Sequence, residues 1–231
     1  MRLYDPSLVS ALCFDLDGTL VDSEGEAADA FALALAPFGR ELYPEERAFV
    51  VGHAFMEIYD YVHGHGGLPL SPAQLEEAVY HARLQLFADH GAAELPGART
   101  IVRWAAQRYP LALVTGSTRR EAELMLVALE LSDCFAVTLC AGEYSAGKPS
   151  PAPYLSAAAA LAVAPARCLA IEDSTAGIAA ARAAGMSCVA VRAGNRFGQD
   201  QSGAELHIGS LHELPALLSK DPARPDSGCI L

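Results

Sequence analysis

Lysine is nearly missing from this chain. Of its 16 cationic side chains only two are lysines, Lys148 and Lys220, and none falls between residues 22 and 95. Basic charge as a whole is scarce: 28 acidic residues leave a formal net charge of −12. A surface of that sign repels phosphate backbones and anionic headgroups, which excludes nucleic acid and membrane as expected partners. No apolar run is long enough to span a bilayer. Met1 to Pro6 does not read as a signal peptide. The cysteines, Cys13, Cys134, Cys140, Cys168, Cys188 and Cys229, form no CxxC pair, and several lie in apolar strand candidates. Reduced thiols in a cytoplasmic protein are the expectation. The closing Gly228-Cys229-Ile230-Leu231 has its cysteine one place too late for a prenylation box.

What is there is apolar: 52% of 231 residues, enough for one large core or two small ones. The run from Val9 to Phe14, broken only by Ser10, reads as a buried strand. Beyond it stands Asp15-Leu16-Asp17-Gly18-Thr19. Residues i and i+2 of an extended chain point the same way, so Asp15 and Asp17 converge if the backbone stays extended. Two close carboxylates need a cation between them or a shared proton. A polar strand-to-loop turn is the plainer reading. An EF-hand loop fits worse, because its glycine stands sixth and Gly18 is fourth.

Glu24 to about Leu95 reads as roughly four helices without strand signal, a small bundle. The first, to Ala36, has Ser23 and Glu26 in capping-box spacing. Helices follow over Pro44 to Val51, Phe55 to Val62 and, opened by Ser71-Pro72, to about Asp89, with Gly64-His65-Gly66-Gly67 a turn. From Pro96 strands alternate with helices: Leu111 to Val114, Val137 to Cys140, Cys168 to Ile171, Ser187 to Val191 and Leu206 to Ile208. Such alternation predicts a parallel sheet covered on both faces, with the bundle inserted after the first strand. The fold class expected is α/β, a Rossmann-like core over 1–20 and 94–220, a helical cap over 21–93 and a flexible tail over 221–231.

Ligands of such sheets bind at the carboxyl ends of the strands. Four of those ends or the loops after them carry polar residues: Asp15 and Asp17; Thr115, Gly116 and Ser117; Lys148; Glu172 and Asp173. Together they read as a phosphoryl-transfer set. Asp15 is the expected nucleophile. Asp17 is the expected general acid and base. Mg²⁺ would be held by Asp15, the Asp17 carbonyl and Asp173, with Glu172 a ligand or its neighbour. Thr115 and the amides after it would hold phosphate oxygens. Lys148 would offset the collected negative charge, a task for which a compact ammonium suits a crowded site better than a guanidinium. Taken singly, Thr115-Gly116-Ser117 and Glu172-Asp173-Ser174 read equally as helix caps.

Over Ala11 to Leu218 the sequence resembles the haloacid dehalogenase superfamily, in the branch of β-phosphoglucomutases and small sugar-phosphate phosphatases. Asp15-Leu16-Asp17-Gly18-Thr19, Thr115-Gly116, Lys148-Pro149 and Glu172-Asp173-Ser174 with Gly177 and Ala183-Ala184-Gly185-Met186 carry the likeness. It implies a Mg²⁺-dependent enzyme with the roles above and a cap that opens and closes over the substrate. Dehalogenases replace the second aspartate, which is present here as Asp17. Phosphonoacetaldehyde hydrolases need a cap lysine, which is absent. A phosphatase acting on a small phosphorylated metabolite, a sugar phosphate first, is the expectation. The alternatives are a β-phosphoglucomutase-like mutase and a catalytically idle binding module. The mutases place an arginine just after the cap-loop glycine, and here Gly52 is followed by His53. The cap has 12 acidic residues against three arginines, Arg40, Arg47 and Arg83. His53 and Arg119 are further candidates for substrate contact, and a monomer is expected.

Overall fold

The computed structural model of the protein describes residues 4–50, 53, 55–195 and 198–219. The expected tail, residues 221–231, and Gly52 of the cap loop lie outside the described residues. Strand β1 (Ala11–Phe14) is followed by helices α1 (Ser23–Leu35), α2 (Pro44–Val50), α3 (Phe55–Gly66) and α4 (Pro72–His90). After them come α5 (Ala98–Ala106), β2 (Leu111–Val114), α6 (Arg119–Ala128), β3 (Val137–Leu139), α7 (Ala152–Ala160), β4 (Cys168–Glu172), α8 (Thr175–Ala183), β5 (Ser187–Val191), β6 (Leu206–Ile208) and α9 (Leu214–Leu218). The chain forms two compact units, one of them Asp22–Ala93 and the other the chain on either side of it. No helix among the described residues is long and apolar enough to cross a membrane. The five described cysteines are unbridged.

The larger unit is built on one parallel sheet in the order β3-β2-β1-β4-β5-β6. The order reverses between β1 and β4, and in such sheets that crevice takes the ligand. Phe14 pairs with Leu113 on one side and Ile171 on the other, so β1, β2 and β4 end nearly level. The strands alternate small and large residues, and the alternation sorts them by face. Ala11, Cys13, Ala112, Val114, Cys168, Ala170, Cys188 and Ala190 pack with alanines of α7 and α8. Small side chains on both partners let helix and sheet approach closely, which explains alanine-rich helices there. The in-between residues, Leu12, Phe14, Leu113 and Ile171 among them, are fully buried too.

In the helical unit, Phe31, Leu35, Val50, Ile58, Val62, Leu75 and Val79 form the core. The Gly64-His65-Gly66-Gly67 turn is corrected: α3 continues through Gly66. Tyr61 and His65 meet one helical turn apart, with ring centroids 4.1 Å apart. Gly67, at φ +71°, then closes the helix. At α1 the expected capping box does not form through Glu26, whose Oε1 accepts the Ala93 N–H at 2.8 Å. The Ser23 side chain lies outside what is described. Ser71 and Gln74 do form a capping box on α4.

Candidate active site

Parallel strands that end level bring their next residues together. Asp15 leaves β1 with its N–H bonded to the Ile171 carbonyl at 3.0 Å. Glu172 ends β4 and Asp173 follows it. Asp15, Glu172 and Asp173 are all buried, and each offers an oxygen within 4.8 Å of the others. Lys148, at the start of a cis Lys148–Pro149 peptide, reaches in from the loop after β3. Its Nζ donates to Asp15 Oδ1 at 2.6 Å, to Glu172 Oε1 at 2.6 Å and to the Val114 carbonyl at 2.9 Å. One ammonium thus ties the ends of β1, β2 and β4.

The electrostatics are those of crowded carboxylates around an ammonium. Burial works against the Lys148 charge, but Asp15 and Glu172 outweigh it and hold the pKa above the ordinary lysine value. Burial pushes the Asp15 carboxyl well up; Lys148 opposes, and Glu172, Asp173 and Asp17 add to the rise. Three buried carboxylates share this crevice, and Lys148 bonds two of them, Asp15 and Glu172; gathered this closely they repel one another and favour a proton or a cation among them.

Glu172 is saturated with donors. Oε1 takes Lys148 and the Tyr154 hydroxyl at 2.8 Å. Oε2 takes the N–H groups of Asp173 and Ser174 at 3.2 Å and the Ser174 hydroxyl at 2.9 Å. Asp173 Oδ1 accepts from Thr19 Oγ1 at 3.3 Å. Two glycines make room for these carboxylates. A Cβ on Gly18 would lie 2.2 Å from Asp173 Oδ2, and one on Gly177 would lie 1.8 Å from Glu172 Oε1. Gly18 is also at φ +80°, so both its turn and its cradle require glycine. Hard carboxylate oxygens, buried and close together, suit a hard divalent cation, and Asp15, Glu172 and Asp173 each offer one.

Asp17 turns to the other side of the crevice. Its Oδ2 accepts the Ser117 hydroxyl at 2.6 Å and the Thr115 hydroxyl at 3.2 Å. The Ser117 N–H bonds Thr115 Oγ1 at 2.9 Å, which tightens the turn. The cap of α6 is Thr118, in a capping box with Glu121, so Thr115 and Ser117 are left to face Asp17. Gly116, exposed, has nothing within 4 Å of where a Cβ would stand. At β4 the capping role falls to Ser174, which accepts the Gly177 N–H.

Arg119 does not join this group by its contacts. Its guanidinium makes a two-pronged pair with Glu143 and donates to the Thr138 carbonyl at 2.7 Å. That pair holds the Glu143 carboxyl below its usual range. His53 belongs to the helical unit, where it is exposed and stacked on Phe49, centroids 3.8 Å apart. Residues that motif reading passed over do join. Thr19, Tyr154 and Gln201 each bond a member of the acidic group, and Tyr144 donates to the Thr115 carbonyl at 2.9 Å. Only Thr19 stood inside a motif; the others come from α7 and from loops that carry no signal of their own.

The comparisons with known proteins fall on the same residues. A family model described as haloacid dehalogenase-like hydrolase matches residues 9–185. The chain is 33% identical over 188 residues to the bifunctional riboflavin kinase/FMN phosphatase of Arabidopsis thaliana, covering 80% of this chain and only about half, 48%, of that protein. It is 31% identical to the fructose-1-phosphate phosphatase YqaB of Escherichia coli, over 79% of this chain and 96% of that one. The structure of CbbY from Rhodobacter sphaeroides in complex with phosphate superposes with a TM-score of 0.76 at 26% identity, over 89% of this chain and 96% of that chain. The matched span opens before Asp15 and closes beyond Asp173, so every strand end that builds the acidic group lies within it. On that span and that site, the chain belongs to the haloacid dehalogenase-like hydrolases.

Proposed function

We propose that this hydrolase removes phosphate from a small phosphorylated metabolite, a sugar phosphate in the first instance, through an aspartyl-phosphate intermediate. The observation that carries the reading is the grouping of Asp15, Lys148, Glu172 and Asp173 beside the Thr115–Ser117 turn at the β1/β4 switch point. Asp15 forms a bond to phosphorus as the ester oxygen leaves, and Asp17 gives that oxygen a proton. Water then attacks the aspartyl phosphate, Asp17 takes the proton back, and inorganic phosphate departs. Thr115 and Ser117, which hold Asp17 in the free protein, also supply hydroxyls to phosphate oxygens. Lys148 restrains the Asp15 carboxylate between β2 and β4. Mg²⁺, held by Asp15, Asp173 and the Asp17 carbonyl, would neutralise the repulsion between carboxylate and phosphate.

Hydrolysis rather than isomerisation is favoured by the helical unit's cations. A mutase must grip a second phosphate there. Arg40 pairs with Glu46 and Arg47 with Asp29, and Arg83 lies close enough to Glu26 to oppose the rise that burial gives its pKa. Each arginine already faces a carboxylate of its own unit, and His53 is a weak grip for a dianion. The test is Mg²⁺-dependent phosphate release from p-nitrophenyl phosphate and then from a panel of sugar, polyol and nucleotide monophosphates. Release from a panel member is expected. Fast conversion of β-glucose 1-phosphate to glucose 6-phosphate with a trace of glucose 1,6-bisphosphate, and little phosphate release, would overturn it. No magnesium-dependent turnover of any ester would leave the fold as a binding module.

A further inference from the structure

We infer that Gln201, in the loop between β5 and β6, is a positioning residue for Asp173 and through it for the cation site; the inference rests on the reading that Asp173 is a ligand. The last paired residues of β4 and β5 are Glu172 and Ala190. One step further on, the carbonyls of Asp173 and Val191 have run past the ladder. Gln201 Nε2 donates to both, at 2.7 Å to Asp173 and 2.9 Å to Val191. Gln201 is itself 8% exposed. A buried carbonyl without a donor is costly, and two such carbonyls side by side need two protons from one small group. A primary amide provides them; a carboxylate there would set acceptor against acceptor, and an alkyl chain would take this donor away from both carbonyls.

The loop is held on its target from several sides. Gln199 Oε1 accepts the Thr175 N–H at 3.1 Å, and Thr175 Oγ1 donates to the Asp200 carbonyl at 2.9 Å. His207 Nε2 lies 2.9 Å from the Gln201 carbonyl. Gly194 passes so close to Gly18 that a Cβ on it would stand 1.7 Å from the Gly18 carbonyl oxygen. Asp173 is therefore fixed at its side chain by Thr19 and at its backbone by Gln201, while the cradle at Gly18 is closed by the same loop. Groups that orient a ligand without touching the metal are worth roughly 10–100-fold in metal affinity.

The experiment is calorimetric titration of the full chain with MgCl₂ alone, for wild type, Gln201→Met and Asp173→Asn, alongside melting curves and turnover of p-nitrophenyl phosphate against magnesium concentration. Gln201→Met keeps the volume and removes both donors. The expected result is Mg²⁺ binding weakened about 10-fold, with kcat recovered at high magnesium. A lowered melting temperature with Mg²⁺ affinity unchanged would make Gln201 a structural cross-link and overturn the inference. If Gln201→Met does not fold, Gln201→Asn, which keeps the amide but withdraws it by one methylene, must show the same weakening, and unchanged affinity overturns the inference equally. Asp173→Asn separates the two levels. If it weakens Mg²⁺ binding and Gln201→Met does not, only the positioning role falls; if it has no effect, the ligand assignment falls and this inference with it.

Discussion

Two glutamates of this protein, Glu46 in the helical unit and Glu172 in the sheet unit, are fully buried, and each is paired with a cation. Glu46 meets Arg40 and the Tyr43 N–H, and the pair is neutral in itself. Glu172 meets Lys148, but Asp15 leans on the same ammonium and Asp173 stands beside them. The first arrangement is closed: a forked guanidinium, capped further by the Glu41 carbonyl and the Tyr43 ring, holds a helical turn in place. The second gathers three buried carboxylates within 4.8 Å of one another, two of them on Lys148, and it lies at the ends of strands rather than between helices. Buried ion pairs are weak evidence of stability, and carboxylates crowded this closely point instead to a cation that binds among them.

The sharpest break in the comparison is Asp15→Asn. In the sheet unit it removes a carboxylate from a crowded site, so the melting temperature in the absence of metal should not fall. Turnover should drop by roughly 10⁴-fold or more, because an amide is a poor nucleophile and a poor ligand. Phosphate release under magnesium saturation is the measurement. Near wild-type rates, with deamidation excluded by mass spectrometry, would refute the nucleophile.

Lys148→Arg asks whether the cation of one unit could serve in the other. Lys148 sends three bonds from one nitrogen to Asp15, Glu172 and the Val114 carbonyl, which converge from three strands. A planar guanidinium cannot place one charge at the meeting point of all three. We expect a loss of about 10²-fold in kcat/KM with a folded protein. Full activity would make the lysine incidental.

Glu46→Ala breaks the other half. Removing one member of a buried pair costs about 3 kcal/mol, the low end of the usual range because Arg40 keeps some exposure. Chemical denaturation should report that loss, and calorimetry should find Mg²⁺ affinity unchanged. A matching loss of metal affinity would mean that the closed pair is not confined to its own unit's stability.

Much of this contrast was legible in the sequence, and the reason is the parallel sheet. Leu111–Val114, Ser187–Val191 and Leu206–Ile208 are strands with the bounds their apolar runs suggest, and the polar residues after them mark the strand ends. Level strand ends convert spacing in the chain into proximity in space. What depends on loops was not legible. Tyr154 is six residues past Lys148 and looks like ordinary helix interior until its hydroxyl is found on Glu172. Gln201 sits among Gly198, Gln199 and Asp200, where nothing tells a buried clamp from a solvated turn. Arg119 follows the Thr115–Ser117 turn as a phosphate ligand would, yet Glu143, 24 residues later, takes it. The turn after Val62 failed for a local reason: glycines flanking His65 outweighed the aromatic contact that carries α3 one turn further.

The smallest effect concerns another carboxylate of the helical unit, the partly buried Glu26. Its Oε1 accepts the Ala93 N–H, while Oε2 is buried without a hydrogen-bond partner. Burial is the largest influence and raises its pKa; the Ala93 N–H and Arg83 oppose the rise. A carboxyl whose pKa is higher folded than unfolded holds its proton more tightly in the folded state. Its contribution to stability is therefore most favourable below the ordinary glutamate pKa and is lost as pH rises through the folded value. Glu26→Gln copies the protonated form: it keeps an acceptor for Ala93 and removes the charge. The neutral amide placed where Oε2 was still lacks a partner, which costs less than an unpartnered charge. The variant should melt higher than wild type at pH 7, on the order of 1–2 °C, and the two should converge as pH falls below the ordinary carboxylate range. Melting curves between pH 3.5 and 7.5 decide it; a gap that widens towards low pH would show that the Glu26 charge is stabilised by Arg83 rather than penalised by burial.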